Sequence, residues 1–376
     1  MRERVPISTL VLADPSGKRE RLVKRSIAVI LDSQTPEGAY LAAPSFPTYH
    51  YSWFRDGSFI ADAMDLVGHQ ESASAFHRWC FQVLDSQLDE RGDVTGGGEL
   101  HTRYRANGEH GAEEWPNFQL DGFGTWLWAY RRHRERVADG SARLQDERDA
   151  KVVRRLSLYL TRRWPRPNFD CWEEHAEAIH PSTLGAIYAG LTAAAEMLDD
   201  RYFRGVADAV RAFLMAHGVA HGHFVKHVGS DDVDANLLWL ALPYEVVPVV
   251  DSLVTGTLEK IATDIQAQDG GLHRYAKDTY YGGGCWPLLT ADLAQLHLAR
   301  GERPKAERLL KWIEARATPT SDLPEQAATH LNDPSYVDEW RERWGESACP
   351  LLWSHAAYLR LLHAFGEPVS AHGGRP

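Results

Sequence analysis

The sequence predicts an all-α protein, an (α/α)6 barrel of about twelve helices with long functional loops at one mouth. Apolar residues recur with the helical period along most of the chain, and no series of βαβ units or long linker interrupts them. Every second predicted helix follows a longer loop rich in Trp, Tyr, Asp, Glu and Gly. Six such helix pairs predict a closed ring whose inner helices point their N-termini at one mouth.

The predicted helices alternate between the two layers of this ring. Those that follow mostly short turns are expected in the outer layer: 19–35, 69–89, 147–162, 201–217, 251–265 and 303–316. Those that follow the richer loops are expected in the inner layer: 55–67, 119–136, 181–197, 233–240, 286–300 and 351–365. The alternating stretch HFVKHV is a candidate strand. We expect a single domain over 1–376, with 1–18 and 367–376 as terminal extensions.

Composition excludes several classes of protein. The 376 residues are 44% hydrophobic and 25% charged, as in ordinary soluble globular proteins. No segment reaches the roughly 18 apolar residues that cross a bilayer, so no membrane partner is expected. The net charge of −11 argues against nucleic acid as a partner. The N-terminal stretch has a basic start but no apolar core, so we expect a cytoplasmic protein.

The cysteines and histidines predict neither a disulfide framework nor a metal site. The four cysteines lie far apart without a CxxC pair and are expected to be free thiols: Cys80, Cys171, Cys285 and Cys349. The histidines of the stretch HGHFVKH, 221–227, lack a matching acid and a helical register. Their role is therefore expected to be structural, with no metal bound.

The loop before the second predicted helix reads YHYSWFRDGSF and contains Tyr49, Trp53, Arg55 and Asp56. An adjacent Arg and Asp offer a forked donor beside a bidentate acceptor, which is the pair needed to grip vicinal hydroxyls of a sugar. Aromatic rings can cover the flat face of that sugar. The alternative is an Asp that caps the helix beside a surface Arg.

Two further loops carry the same mixture of aromatic and polar side chains. They are EEWPNFQLDGFG before the fourth helix, with Trp115, Gln119 and Asp121, and GGLHRYAKDTYYGGGCW before the tenth, with Arg274, Tyr275, Asp278 and Trp286. Asp121 is equally compatible with a plain helix cap. The second loop has the composition most typical of sugar binding in this chain.

The stretch NFDCWEEHAEAIH, before the sixth helix, concentrates acidic residues around an aromatic one. Hydrolysis of a glycosidic bond requires a carboxylic acid that stays protonated near neutrality, which an apolar neighbour and nearby like charges favour. Glu173 has both, because it stands between Trp172 and Glu174 among further acids. The alternative is a solvated acidic face.

Glu325 stands in TSDLPEQAATH, before the twelfth helix. A carboxylate held between a proline and an amide could serve as a general base toward water. Taken by itself, this glutamate would be unremarkable.

Taken together, six motifs occur in a defined order over positions 49 to 358: YxYxWFRD, WPNFQLDG, DCWEE, RYAKDTYYGGGCW, LPEQ and LLWSHAAYL. They resemble glycoside hydrolase family 15, the glucoamylases and related exo-acting α-glucosidases, over nearly the whole chain. The resemblance implies an inverting hydrolase on an (α/α)6 barrel that releases β-glucose from non-reducing ends. No metal or organic cofactor is implied.

The resemblance also implies roles for individual residues. Glu173 matches the general acid, Glu325 the general base, and Tyr49 the tyrosine that helps to position the attacking water. Arg55 and Asp56 match the pair that holds the hydroxyls of the terminal glucose. The residues expected to line the first two subsites and the pocket walls are Arg274, Glu174, Trp53, Trp115, Trp172 and Trp286.

The substrate expected from this resemblance is a short α-1,6-linked oligosaccharide such as isomaltose. The sequence shows neither the β-sandwich domain nor the starch-binding module of larger family members, and it is similar to the bacterial members that hydrolyse isomaltose. An α-1,4-acting glucoamylase or a trehalase of the same family is the alternative. A sugar epimerase that uses His175, His180 or His355, or a non-catalytic sugar-binding domain, is a more distant one.

Overall fold

The structure is a computed structural model, and it describes residues 16–111, 113–137 and 141–366. Twelve α-helices form within these ranges. They are α1 Lys18–Asp32, α2 Phe54–Leu66, α3 Gln70–Gln87, α4 Asp121–Val137, α5 Glu147–Arg163, α6 Pro181–Leu198, α7 Arg201–His217, α8 Ser252–Asp264, α9 Pro287–Ala299, α10 Arg303–Arg316, α11 Val337–Trp344 and α12 Leu352–Gly366. The predicted terminal extensions lie outside the described residues, apart from residues 16–18.

Only short strands accompany the helices in the described part of the chain. β1 (Ser52–Trp53) pairs with β2 (Arg103–Tyr104), and β3 (Val219–Ala220) pairs with β4 (His223–Phe224), both antiparallel. The candidate strand HFVKHV therefore contributes only its first two residues to a strand. The predicted all-α class is confirmed.

The inner layer forms a closed ring. α2 contacts α4, α4 contacts α6, and α6 contacts a 3₁₀ segment, Ala235–Leu240. That segment contacts α9, α9 contacts α12, and α12 returns to α2. The remaining long helices pack outside this ring, for example α7 on α6 and α10 on α9. The predicted (α/α)6 barrel is confirmed.

The burial pattern of each helix explains whether it lies in the inner or the outer layer. In α9 every residue except Gln295 and Ala299 is buried, so this helix must be covered on all sides. In α7 only a stripe is buried, namely Phe203, Ala207, Val210 and Leu214. One face of this helix is therefore free to meet solvent.

Among the described residues, no helix combines the length and the apolar character needed to cross a membrane.

The inner layer departs from the prediction at its fourth position. The expected helix 233–240 is a six-residue 3₁₀ segment, in which the Asp234 side chain caps the amide of Asn236. Pro243 follows closely; it has no amide N–H and disfavours helical geometry in the residue before it, so the segment cannot extend. α11 is an additional helix that was not predicted. The other eleven predicted helices differ from the observed ones by no more than three residues at either end.

Two glycines let α4 and α6 touch through their backbones. A Cβ atom on Gly190 would lie 2.6 Å from the carbonyl oxygen of Gly124 and 2.7 Å from its Cα. Because the atoms in the way are backbone atoms, no side-chain rotation can relieve the overlap. The contact between these inner helices therefore depends on the absence of a side chain at both positions.

We predict that Gly190→Ala lowers the free energy of unfolding by about 1–3 kcal/mol, since the two helices must move apart. The matched control is Gly205→Ala on the exposed face of α7, where an added Cβ meets no atom within 4 Å. That variant should gain about 0.5–1 kcal/mol, because alanine is the better helix former. Thermal unfolding at one scan rate checks both, and a Gly190→Ala variant as stable as the parent would contradict the packing argument.

Candidate active site

A cavity of about 400 Å³ opens at the mouth of the barrel, where the inner helices begin. This volume suits a small-molecule ligand. Eleven of the residues singled out from the sequence line it: Tyr49, Trp53, Arg55, Asp56, Trp115, Trp172, Glu173, Glu174, Arg274, Trp286 and Glu325. Leu351 and Trp353 of the sixth motif line it as well, so all six motifs, which are distant in sequence, converge on one cavity.

Four other predicted site residues lie behind the cavity wall and bind residues that line it. Gln119 and Asp121 accept hydrogen bonds from Arg55 Nη1, at 3.0 and 3.2 Å. The other two support the opposite wall: Tyr275 donates its hydroxyl to Glu174, and Asp278 accepts from Arg274. These four residues therefore hold lining side chains in position and do not themselves line the cavity.

Glu173 lies on a tight turn before α6, and its backbone is left-handed, with φ 68°. Its Oε1 accepts hydrogen bonds from Trp53 Nε1 at 2.8 Å and from Gln119 Nε2 at 3.1 Å. The aromatic residue bound to this carboxylate is therefore Trp53, whereas the neighbouring Trp172 directs its indole N–H at Asp234. The sequence neighbourhood of Glu173 therefore does not reveal this donor, which lies 120 positions away.

Glu325 is only 2% exposed. Its Oε1 accepts a hydrogen bond from the hydroxyl of Tyr49 at 3.0 Å, and its Oε2 accepts one from the hydroxyl of Ser347 at 3.2 Å. Burial raises the pKa of Glu325 to about 7, although the Tyr49 hydrogen bond, the charge of Arg274 and the Ser347 hydrogen bond all act to lower it. This carboxyl group therefore titrates in the neutral range.

One five-residue segment, Tyr49–Trp53, binds both carboxylates. Tyr49 donates to Glu325 at one end and Trp53 donates to Glu173 at the other. The two aromatic rings meet edge to face, with centroids 5.7 Å apart. The two glutamates, distant in sequence, are thus tied to opposite ends of the same segment.

The Arg55–Asp56 pair forms a polar corner of the cavity. Arg55 Nε lies 3.3 Å from Asp56 Oδ2, yet within the described residues neither atom makes a hydrogen bond. Burial raises the pKa of Asp56 to about 6, against the effect of the Arg55 charge. Buried polar atoms without partners cost free energy that a ligand hydroxyl can relieve.

Arg274 supplies positive charge on another side of the cavity. It is held by Asp278, with Nε to Oδ2 at 2.8 Å, and it also approaches Glu174, at 3.5 Å. Its guanidinium carbon lies 5.3 Å from the ring centroid of Trp172 and 5.4 Å from that of Trp286. Aromatic faces and one carboxylate therefore fix its orientation.

The structure adds lining and supporting residues that the sequence did not single out as a site. The hydroxyl of Tyr280 lies 2.9 Å from that of Tyr49, and Ser347 binds Glu325. Both stand in or near motifs already noticed, but their partners are more than twenty positions away. No local signal pairs them.

The unpredicted helix α11 forms part of the rim. It contributes Trp340, Arg343 and Trp344 to the cavity lining. Trp344 stacks against Trp115 across the mouth, with ring centroids 6.3 Å apart and planes at 23°. The i, i+4 spacing of the two tryptophans and the glycine that follows them are the signals that could have revealed this helix.

The histidines proposed for an epimerase do not line the cavity. His355 is fully buried; it pairs with the hydroxyl of Ser26 and lies 2.9 Å from the amide nitrogen of Leu323. His180 faces the backbone carbonyls of Asn168 and His175. In the part of the chain that the structure describes, no cluster of His, Cys, Asp and Glu could hold a metal ion, and the four cysteines are free.

The site has the features expected of a glycoside hydrolase. They are tryptophans that can cover a sugar ring, paired Arg and Asp side chains, and two glutamates at the mouth of an (α/α)6 barrel. The chain belongs to the glycosyl hydrolases family 15, whose family model matches residues 17–363.

Curated relatives share this family. Isomaltose glucohydrolase of Kribbella flavida is 41% identical over 367 residues, which cover 93% of this chain and 94% of that enzyme. Trehalase 2 of Sulfolobus acidocaldarius is 26% identical over 346 residues, and the match covers 78% of this chain and 56% of that enzyme.

Solved structures agree with the fold. A glycosidase that is 39% identical superposes with a TM-score of 0.86 and covers 94% of this chain and 100% of its own. A bacterial glucoamylase complexed with acarbose has the same fold, with a TM-score of 0.73 at 21% identity, over 93% of this chain and 56% of its own.

We predict that Glu325→Gln is more stable than the parent protein at alkaline pH. The pKa of Glu325 is about 7 in the folded chain and 4.5 in its ordinary state, so the parent loses stability as pH rises from 4.5 through 7. The full loss is on the order of 3 kcal/mol. Glutamine fits the same space and does not titrate.

Thermal unfolding of both proteins between pH 4 and pH 8.5 measures this difference. The two midpoints should lie close together at pH 4 and separate above pH 7. A difference that stays constant over the whole range would show that burial does not raise the Glu325 pKa.

Proposed function

We propose that the protein is an inverting, exo-acting α-glucoside hydrolase in which Glu173 is the general acid and Glu325 the general base. The observation that carries this proposal is the Tyr49–Trp53 segment, which binds both carboxylates at the edge of one cavity. The product is β-D-glucose from the non-reducing end of a short oligosaccharide.

In the proposed reaction, Glu173 protonates the glycosidic oxygen while the bond from that oxygen to the anomeric carbon breaks. Glu325 takes a proton from a water molecule, whose oxygen forms the new bond to the anomeric carbon from the opposite face. Tyr49, bound to Glu325, is placed to orient that water. Glu325 acts in its ionised form, so the environment that holds its pKa near 7 sets the acidic limb of activity.

The terminal glucose is proposed to sit against the Arg55–Asp56 corner, whose unpartnered Nε and Oδ2 atoms are a donor and an acceptor for vicinal hydroxyls. Trp172 and Trp286 then flank the sugar ring, and Arg274 lies beside them. The leaving sugar would occupy the outer part of the cavity, beside Trp115 and the rim helix α11.

Isomaltose is the substrate that we propose, because the isomaltose glucohydrolase of Kribbella flavida matches nearly the whole chain. A solved variant of the similar glycosidase is in complex with glucose, which fits the proposed product. The similarity to trehalases, at 26% identity, favours trehalose as the second candidate.

We expect the non-reducing unit of isomaltose to be released as β-glucose, since water attacks from the face opposite the leaving group, while the reducing-end unit keeps its own mixture of anomers. A proton NMR time course, recorded before mutarotation equilibrates the anomers, checks this outcome. Parallel assays with maltose, trehalose and panose rank the linkages. Initial α-glucose in excess of the share that the reducing-end unit brings would refute the inverting mechanism, and faster release from trehalose than from isomaltose would favour the second candidate.

We expect Glu173→Gln to lower kcat on isomaltose by about 10²–10⁴-fold, the usual contribution of a general acid, and to leave substrate binding largely intact. The amide oxygen of glutamine can still accept the Trp53 hydrogen bond. Glucose release and isothermal titration with isomaltose measure the two effects. Glu177→Gln, exposed on the same loop, is the matched control with parental turnover. Near-normal turnover of Glu173→Gln would remove Glu173 from the mechanism.

A further inference from the structure

We infer that Lys226 is a positioning residue for Glu173: its buried ammonium group holds in place the turn that carries the proposed general acid. This inference rests on the proposed role of Glu173. Lys226 is not part of the cavity lining, so it acts only through the residues that it binds.

Lys226 is a buried cation between two carboxylates. Its side chain is 4% exposed, and its Nζ lies 2.7 Å from Asp234 Oδ2 and 3.3 Å from Asp170 Oδ2. Burial alone would lower the pKa of Lys226, but the charges of Asp234 and Asp170 reverse this and raise it above its ordinary value. Lys226 is therefore charged at neutral pH.

Asp170 passes this constraint to the acid-bearing turn. Its Oδ1 accepts the backbone N–H groups of Trp172 at 2.9 Å and Glu174 at 3.0 Å, the residues on either side of Glu173. The N–H of Glu173 donates to the carbonyl of Asp170 at 3.0 Å. Because non-glycine residues rarely adopt φ 68°, Glu173 needs these bonds to keep its backbone conformation.

Asp234 and Tyr275 link Lys226 to two side chains of the same turn. Trp172 Nε1 donates to Asp234 Oδ1 at 3.1 Å and to Oδ2 at 3.0 Å. The Lys226 ammonium lies 3.7 Å from the ring centroid of Tyr275, whose hydroxyl donates to Glu174. One cation thus connects to the residue before Glu173 and to the residue after it.

Removing the cation would leave two buried carboxylates facing each other, which strongly disfavours the present arrangement. The turn would then shift so that the two carboxylates separate or gain protons. A shift of the turn moves the Glu173 carboxyl away from the glycosidic oxygen. Proton delivery to the leaving group should therefore suffer more than the binding of the sugar.

The test is Lys226→Met, assayed on two substrates that differ in their need for an acid. Isomaltose has a sugar leaving group that requires protonation, whereas α-D-glucopyranosyl fluoride releases fluoride with little help. We expect kcat on isomaltose to fall by about 10²-fold or more, and kcat on the fluoride to fall by less than about 10-fold. KM for isomaltose should change little.

A second variant covers the case in which Lys226→Met does not fold. Asp170→Asn keeps an acceptor for the two amides but weakens the bond to Lys226, so it should show the same selective loss to a smaller degree. Lys260→Met is the matched control, because Lys260 forms only an exposed pair with Asp264 on α8. It should turn over both substrates like the parent.

The outcomes separate this inference from the proposed function. Selective loss on isomaltose supports the positioning role. Equal losses on both substrates, or no loss on either, would overturn it while the acid–base assignment stands. Failure of the parent enzyme to hydrolyse isomaltose, or full activity of Glu173→Gln, would refute the proposed function and this inference with it.

Discussion

The arrangement of the cavity mouth depends on the segment Tyr49–Trp53, whose backbone is fixed at its C-terminal end. Ser52 and Trp53 pair with Tyr104 and Arg103, and α2 starts directly after Trp53. The Trp53 indole that reaches Glu173 therefore extends from a backbone fixed by strand pairing and by the start of α2. The relative placement of Glu173 and Glu325 thus depends on this segment as well as on the loops that carry the two glutamates.

Charge compensation separates these two glutamates from the other buried acids at the mouth. Buried carboxylates normally need a cation, and here Asp121 has Arg55, Asp278 has Arg274, and Asp234 has Lys226. In the described residues, Glu173 and Glu325 form no ion pair and rely on neutral donors. An acid that must exchange a proton during a reaction is better served by such donors, because a tight ion pair would fix its charge.

The sequence was sufficient for the features that follow from periodicity and motif order. Helical spacing and alternating loop composition predict the ring, and the six motifs predict most of the cavity wall. The sequence does not tell which side of a loop faces the ligand, so Gln119 and Tyr275 could not be separated from Arg55 and Glu174 beforehand. Contacts such as that of Ser347 with Glu325 depend on how loops pack, which no local pattern records. The 3₁₀ segment Ala235–Leu240 was predicted as a longer α-helix because its apolar pattern gives no sign of the 3₁₀ geometry.

The rim helix α11 has a consequence for how enzymes of this kind diversify. It belongs to an excursion, residues 333–345, which leaves the barrel after Glu325, packs against the loop around Tyr280 and returns before α12. It faces the outer chamber through Trp340, Arg343 and Trp344, while the residues proposed to hold the terminal glucose come from other loops. Replacing this excursion would remodel the space available to the proposed leaving sugar. It would also disturb the surroundings of the proposed base, because Trp340 packs on Tyr280, whose hydroxyl lies 2.9 Å from that of Tyr49. The shape of the outer chamber and the setting of Glu325 are therefore coupled through shared packing contacts.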